Sequence, residues 1–193
     1  MTFNDTSSPL ALLGSRRSAK ARDMVAPGPD AAQLDAMLAI ATRVPDHGKL
    51  APWRFVVIDA EWRDAFAELL KTAFRKQKPE AEDYELEAAE QFARQAPTLV
   101  VALSAPNPAS HIPVWEQQLS AGAAVMNLLH AATAMGFGAA WLTGWAAYDE
   151  TVLAALGDPG ERVAGFVFIG TPGRRLDERP RPKPEQVVRH WGA

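Results

Sequence analysis

The sequence predicts one domain that mixes helices and strands, an α+β or α/β fold built around a single sheet. Three observations carry that expectation. The chain has 193 residues, room for one ordinary domain and not for two. Hydrophobic residues make up 48% and charged residues 22%, the balance of a packed core rather than of a disordered chain or a coiled coil. Windows with helical spacing of apolar residues alternate along the chain with short β-branched runs.

Taken in order, residues 1–9 are polar and expected to be flexible, and the domain runs over 10–193. Residues 10–14 read as the end of a short helix, followed by the basic run Arg16-Arg17-Ser18-Ala19-Lys20. Leu34, Met37, Leu38 and Ala41 recur at helical spacing within 31–43, with Asp30 as a cap. Pro45 disfavours helical geometry in Val44, and Gly48 loosens the turn that follows. Residues 54–59 form a strand by their β-branched and aromatic content. Two polar helices are expected at 61–76 and 79–96, then a strand at 98–103 between Pro97 and Pro106. A long, almost uncharged helix spans 114–135 and packs on the sheet. Strands at 139–143 and 162–170 flank a short helix at 149–156, and the second of these strands reads as buried.

The last segment, 172–193, has a different composition. Pro172, Pro180, Pro182 and Pro184 forbid a helix until about Glu185 and favour an extended arm. That arm carries six basic residues against three acidic, and Val187, Val188 and Trp191 need burial. A second copy of the chain would provide it.

Composition also excludes classes. Twenty basic against 23 acidic residues leave a net charge of −3, which argues against a dedicated nucleic-acid binder. The absence of cysteine removes disulfides, zinc knuckles, iron–sulfur clusters and thiol nucleophiles. No signal-peptide core is visible, and the uncharged stretch 117–148 is broken by Gly136 and Gly138 and by six polar side chains. A cytoplasmic protein with no membrane segment is expected. No Walker lysine motif, Gly-x-Ser-x-Gly elbow, dinucleotide fingerprint or metal-spaced histidine pair is present, so a bound cofactor would carry any redox chemistry.

Four stretches could hold chemistry. Arg16-Arg17-Ser18 with Lys20 offers guanidinium forks and a hydroxyl to a phosphate dianion, the alternative being a solvated basic turn. Gly170-Thr171-Pro172-Gly173-Arg174-Arg175 follows a buried strand, where ligand sites collect, or is an exposed loop. In the loop 43–53, bracketed by Pro45 and Pro52, His47 fits a proton donor, a capping residue or a surface histidine. Gly136-Phe-Gly138 with Trp141-Leu142-Thr143-Gly144-Trp145 leaves room for a flat ring against backbone, or for tight helix–strand packing.

In order and spacing, these residues resemble the bacterial nitroreductase family, and within it the minimal single-domain subgroup. The resemblance rests on Arg16-Arg17-Ser18-x-Lys20, the loop 45–53 and Ser120-Ala-Gly-Ala-Ala-Val125, continues with Gly136-Phe-Gly-x-x-Trp141 and Gly165-Phe-x-x-x-Gly170-Thr-Pro172, and covers residues 10–172. It implies an α+β three-layer sandwich, a central mixed or antiparallel sheet flanked by helices, and an arm-exchanging homodimer with FMN at the subunit interface. It further implies that Arg16 and Ser18, with Arg17 beside them, hold the FMN phosphate and ribityl chain, and that Lys20 approaches the pyrimidine edge. Arg43 and His47 would come from the partner chain. Trp141, Leu142, Thr143 and Gly144 would line the ring, and Arg174 or Arg175 would complete the phosphate clamp. Many relatives carry Asn and Gln where this chain has Lys49 and Ala51, so those amide contacts are not carried over.

The implied activity is a ping-pong reduction. NAD(P)H reduces FMN, and a small-molecule acceptor (a nitroaromatic, a quinone or a similar flat oxidant) then reoxidises it. Alternatives are dehalogenation or flavin fragmentation on the same fold, for which 71–90 is the only candidate lid, and a flavin carrier or sensor without turnover.

Overall fold

The apolar runs at 98–103 and 162–170 become the two central strands. A computed structural model describes residues 2–192 of the chain. Strand β3 (Thr98–Ser104) lies antiparallel to β5 (Arg162–Pro172), with Val101 opposite Phe166. Beyond β3 is β2 (Trp53–Ile58), also antiparallel. The other edge of β5 pairs with β4 (Gly138–Leu142) along 166–170 and with β1 (Met24–Val25) at 171–172. All pairings are antiparallel, which resolves the expectation of a mixed or antiparallel sheet.

The pleat sorts the side chains of the central strands onto two faces. Leu99, Val101, Leu103, Phe166 and Phe168 enter one hydrophobic cluster; Val100, Ala102, Val167 and Ile169 enter the other. The first face is covered by α3 (Arg63–Gln77), α4 (Asp83–Ala93) and α6 (Glu150–Leu156). The second is covered by α2 (Ala31–Ala41) and α5 (Val114–Ala134). Helices on both faces of one sheet make the three layers expected. Among the described residues no helix is long and apolar enough to cross a membrane.

Boundaries differ from the sequence reading where local chemistry intervenes. Asp30 caps α2 with a reciprocal box to Gln33, as expected, but the helix stops at Ala41 rather than 43. The segment 79–82 is not helical: α4 starts only after Glu82, whose N–H donates to the Glu85 carboxylate at 3.1 Å. A 3-10 turn, Ala60–Trp62, precedes α3. Strand β5 runs two residues further than expected because β1 is there to pair with it. In the arm, α7 (Pro184–Val187) begins where the last proline permits.

The N-terminal segment expected to be flexible is tied down at two points. Asn4 accepts the Arg17 N–H at 2.7 Å, and the Asp5 N–H donates to Ser15 Oγ at 2.9 Å, alongside α1 (Pro9–Ser15). The segment 71–90 contributes the end of α3 and the start of α4, and it buries Ala73, Leu86 and Ala89. It is packed structure and not a free lid.

The polar residues of α5 are anchors. Gln117 donates to the Asn107 and Ile112 carbonyls at 3.1 and 2.9 Å, Ser120 to the Pro45 carbonyl at 2.6 Å, and Asn127 to the Ile40 carbonyl at 2.6 Å. Gln117 fastens the loop before α5, Ser120 and Asn127 fasten the end of α2 and the loop after it, and all three satisfy backbone groups that burial would otherwise strand.

Candidate functional site

Residues 16–20 leave α1 as extended chain: Arg16 has φ −59° and ψ 125°, Lys20 φ −77° and ψ 130°. Extended backbone throws alternate side chains to opposite sides. Ala19 is buried, while Arg16 and Ser18 meet on the other side, Arg16 Nη1 donating to Ser18 Oγ at 3.3 Å. This strip forms one wall of a cavity of about 480 Å³. Ala140, Trp141 and Leu142 of β4 form another wall, and Arg179 and Arg181 reach it from the C-terminal segment.

The electrostatics single out Arg16. It is half-buried, and desolvation, then Arg181 and Arg17, push its pKa down. Among the described residues no carboxylate pairs with it. A desolvated cation crowded by cations is an arrangement that an anion would relieve. The same field reaches His130 on α5: burial, then Arg16, holds its pKa below the ordinary 6.5.

The ring wall is fixed by a contact between strands. The Trp141 indole lies across β5, and its Nε1 donates to the Ala164 carbonyl at 2.9 Å. A Cβ at Gly165 would overlap that indole, so only glycine lets the ring lie flat there. Past Leu142, Thr143 and Gly144 carry the chain outward, and a Cβ at Gly144 would meet nothing within 4 Å. Open backbone beside an aromatic and an aliphatic side chain suits a flat heterocycle.

The structure divides the residues expected from sequence into three sets. Arg16, Arg17, Ser18, Lys20, Trp141 and Leu142 line this one cavity, while Thr143 and Gly144 follow Leu142 in the chain and are not part of its lining. Arg174 and Arg175 line a neighbouring cavity of about 390 Å³, where they face Arg17 and Lys20 instead of Trp141. Arg43 and His47 line neither.

His47 Nδ1 sits 2.8 Å from Glu116 Oε2 at the start of α5, whereas His130, the residue in Arg16's field, lies 14 positions along that helix. At 1.5 Å per residue that is about 21 Å. Within one chain, His47 therefore sits toward the start of α5 and the residue in Arg16's field toward its end.

Three participants were missed by the sequence reading. Arg179 and Arg181 stand in the proline-rich arm, where their charge had been noted only as part of the arm's composition. Asp46 is the third: its carboxylate accepts the N–H groups of Leu50 and Ala51 at 3.1 and 2.9 Å. It thereby holds a loop in which Lys49 and Ala51 have positive φ, 56° and 46°, a conformation that costs about 1–3 kcal/mol per residue. The spacing Asp46 to Ala51, closed by Pro52-Trp53, was the available signal.

Comparison with known proteins gives a consistent result. A family model described as "Nitroreductase family" matches residues 13–171. An Escherichia coli (strain K12) protein named "Putative NAD(P)H nitroreductase YdjA" is 34% identical over 164 residues, covering 84% of this chain and 87% of its own length. A Haemophilus influenzae protein named as an NAD(P)H nitroreductase in the same terms is 37% identical over the same span and coverage. Among solved structures, a Bacteroides fragilis nitroreductase with bound FMN superposes with a TM-score of 0.68 at 23% identity, covering 92% of this chain and 96% of that one.

Proposed function

The chain belongs to the nitroreductase family, and from that premise we propose that it holds FMN in the Arg16 cavity and uses NAD(P)H to reduce flat, electron-poor acceptors. It is an oxidoreductase of that family. The observation that carries the finer reading is the half-buried, unpaired Arg16 guanidinium, crowded by Arg181 and set beside the Trp141–Leu142 wall. Cations and a hydroxyl at one end, with an apolar plate at the other, match a phosphate ester joined to a planar ring.

Bound there, FMN would supply the redox chemistry that links the nicotinamide to the acceptor. The chain's own residues position and polarise. Arg16 and Ser18, with Arg179 and Arg181, bind the phosphate; bidentate guanidinium contacts fix its orientation. Arg174 and Arg175, expected from sequence to close this clamp, stand in the adjacent cavity, and Arg179 and Arg181 take that role. Lys20 places an ammonium at the cavity wall, where it favours negative charge on a reduced ring. Trp141, held against Gly165, fixes the plane against which a ring stacks, and the backbone of Thr143 and Gly144 lines its far edge.

Arg43 and His47 are proposed to serve the site of a second protomer. Their distance from Arg16 along α5 supports this, and so does the exposed apolar surface. Leu10 and Leu13 on α1, Trp115 and Leu119 on α5, and Val187, Val188 and Trp191 in the arm all face solvent in one chain, with Leu10 82% and Trp115 67% exposed. That much exposed apolar surface fits a homodimer with exchanged arms.

The visible absorption spectrum of the purified protein tests the reading. The expected result is a flavin spectrum bleached anaerobically by NADPH or NADH and restored by a nitroaromatic. A flavin that neither nucleotide bleaches would make the protein a carrier. Failure to bind FMN would remove the reading.

A further inference from the structure

The second cavity, between residues 17–20 and 172–177, shares its first wall with the flavin cavity, but its second wall, with Arg174 and Arg175, has no part in the reading above. We propose that it seats a second phosphate monoester, the 2′-phosphate of the reduced nicotinamide dinucleotide, so that the chain uses NADPH in preference to NADH. The inference rests on the flavin reading for what the dinucleotide does, but the cavity makes its own case.

Arg17, Lys20, Arg174 and Arg175 line it against two carboxylates, Asp23 and Asp177. Glu178, just outside the lining, stands 3.3 Å from Arg17 Nε, so four positive charges meet three carboxylates, and Lys20, Arg174 and Arg175 remain to face a phosphate monoester, which carries about −1.5 to −2 at neutral pH. The internal pairings are loose. Arg174 Nε stands 3.7 Å from Asp23 Oδ1, and Lys20 Nζ stands 3.9 Å from Asp177 Oδ2, both beyond hydrogen-bond reach. Arg175 makes no ion pair among the described residues.

Arg17 is differently placed. Its Nε and Nη2 donate to the Asp177 carbonyl at 2.9 and 2.6 Å. The arm's turn is thus fixed to the strip, and Arg174 and Arg175 are presented across the cavity.

The lining also says which part of a ligand belongs here. Trp141 and Leu142 are absent from it, so no plate receives a ring. A compact anion suits it better. Because residues 17–20 are the common wall of both cavities, one ligand passing over that wall engages the two at once. NADPH and NADH are identical except at the 2′-position, so a cationic surplus at this point acts on their difference alone.

The test uses the full chain and its Arg174→Ala/Arg175→Ala variant, both residues being exposed and outside the FMN clamp described above. Calorimetry with 2′,5′-ADP and 5′-AMP reads the phosphate contribution without turnover. The kcat/KM ratio for NADPH over NADH reads it in catalysis. Both ratios are expected to be roughly tenfold or more in the unaltered chain and to fall to about one in the variant, the magnitude of one charge-assisted contact. FMN content and kcat/KM for NADH should not change.

Equal binding of 2′,5′-ADP and 5′-AMP by the unaltered chain would overturn the proposal. So would a variant that keeps the preference. Loss of FMN from the variant would also overturn it and would return these arginines to the flavin phosphate. A chain that prefers 2′,5′-ADP yet takes no FMN would uphold the phosphate site and remove the flavin reading instead.

Discussion

Arg16 shows how one residue's surroundings define a site. A surface arginine solves its charge in water; this one gives up hydration, faces Arg181 and Arg17, and gains only the Ser18 hydroxyl within the chain. Arg16→Ala should therefore weaken FMN binding by about 1.5–3 kcal/mol, the worth of a hydrogen bond to a charged group, read as the dissociation constant by flavin fluorescence quenching. The variant should also move His130. Burial and Arg16 both disfavour the imidazolium, so removing the cation raises that pKa toward 6.5 without fully restoring it. An NMR titration of the ring protons in flavin-free protein checks this, and an unmoved His130 would dissociate the two residues. The sequence marked Arg16, Ser18 and Lys20 as a cationic strip because cations at that density leave a trace in composition. Which distant arginine closes on them was not legible. Arg174 and Arg179 differ little in local pattern, and only the path of the arm past Arg17 separates them. Gly165 was visible as a motif glycine, but its reason, the indole lying over it, is a contact between strands.

Whole elements were legible where a single physical signal runs their length. The long, almost uncharged run set α5 to within a residue, and the prolines set the start of α7. Strand β1 escaped because two residues carry no periodicity; it exists because β5 overruns to Pro172. Arg63 escaped for the opposite reason. Its sequence position reads as an exposed helical start, yet its guanidinium is buried and donates to the carbonyls of Ile58, Ala93, Ala96 and Pro97, with its pKa lowered to about 10 by burial. It ties the end of β2 to the end of α4, a role that no local pattern encodes. The α3–α4 pair offers a pH test. Lys78 and Lys71, by hydrogen bonds to the carboxylates, hold the pKa values of Glu85 and Glu90 below the ordinary 4.5. Depressed carboxylates contribute stability in full above that value and lose it as pH falls through the folded-state value. Both pairs are only partly buried and screened by salt, so the effect is local. Amide exchange in α4, corrected for intrinsic rates, should accelerate relative to β3 between about pH 5 and about pH 3. The helix itself should stay docked, because Phe92 packs edge-on to Phe166 and Phe168 at 5.1 and 5.2 Å. Unchanged relative protection would show that the ion pairs do not secure the hairpin.

At the scale of the molecule, the C-terminal arm performs two tasks that pull in different directions. Up to Arg181 it stays with its own chain: Leu176 packs on the core, Arg17 grips the Asp177 carbonyl, and Arg179 and Arg181 line the Arg16 cavity. Beyond Arg181 the described residues are all exposed, Val187, Val188 and Trp191 among them, the last completely at 102%. Burying three such side chains is worth about 1.5–3 kcal/mol each, which no contact within one protomer recovers. The homodimer proposed above would supply that burial: a second copy would also present the exposed Trp115 and Leu119 and would bring Arg43 and His47 to the other protomer's site. Two truncations separate the tasks. Removing residues 183–193 keeps Arg179 and Arg181 but discards the apolar end, so sedimentation velocity should show a dimer that dissociates at higher concentration, with flavin affinity per assembled dimer retained. Removing 179–193 also discards both arginines, and flavin affinity should fall by a further charge-assisted contact, about 1.5–3 kcal/mol. If the shorter truncation dimerises as tightly as the full chain, the arm's end has no role in assembly. If the longer one binds FMN as well as the shorter, the clamp is built from other residues.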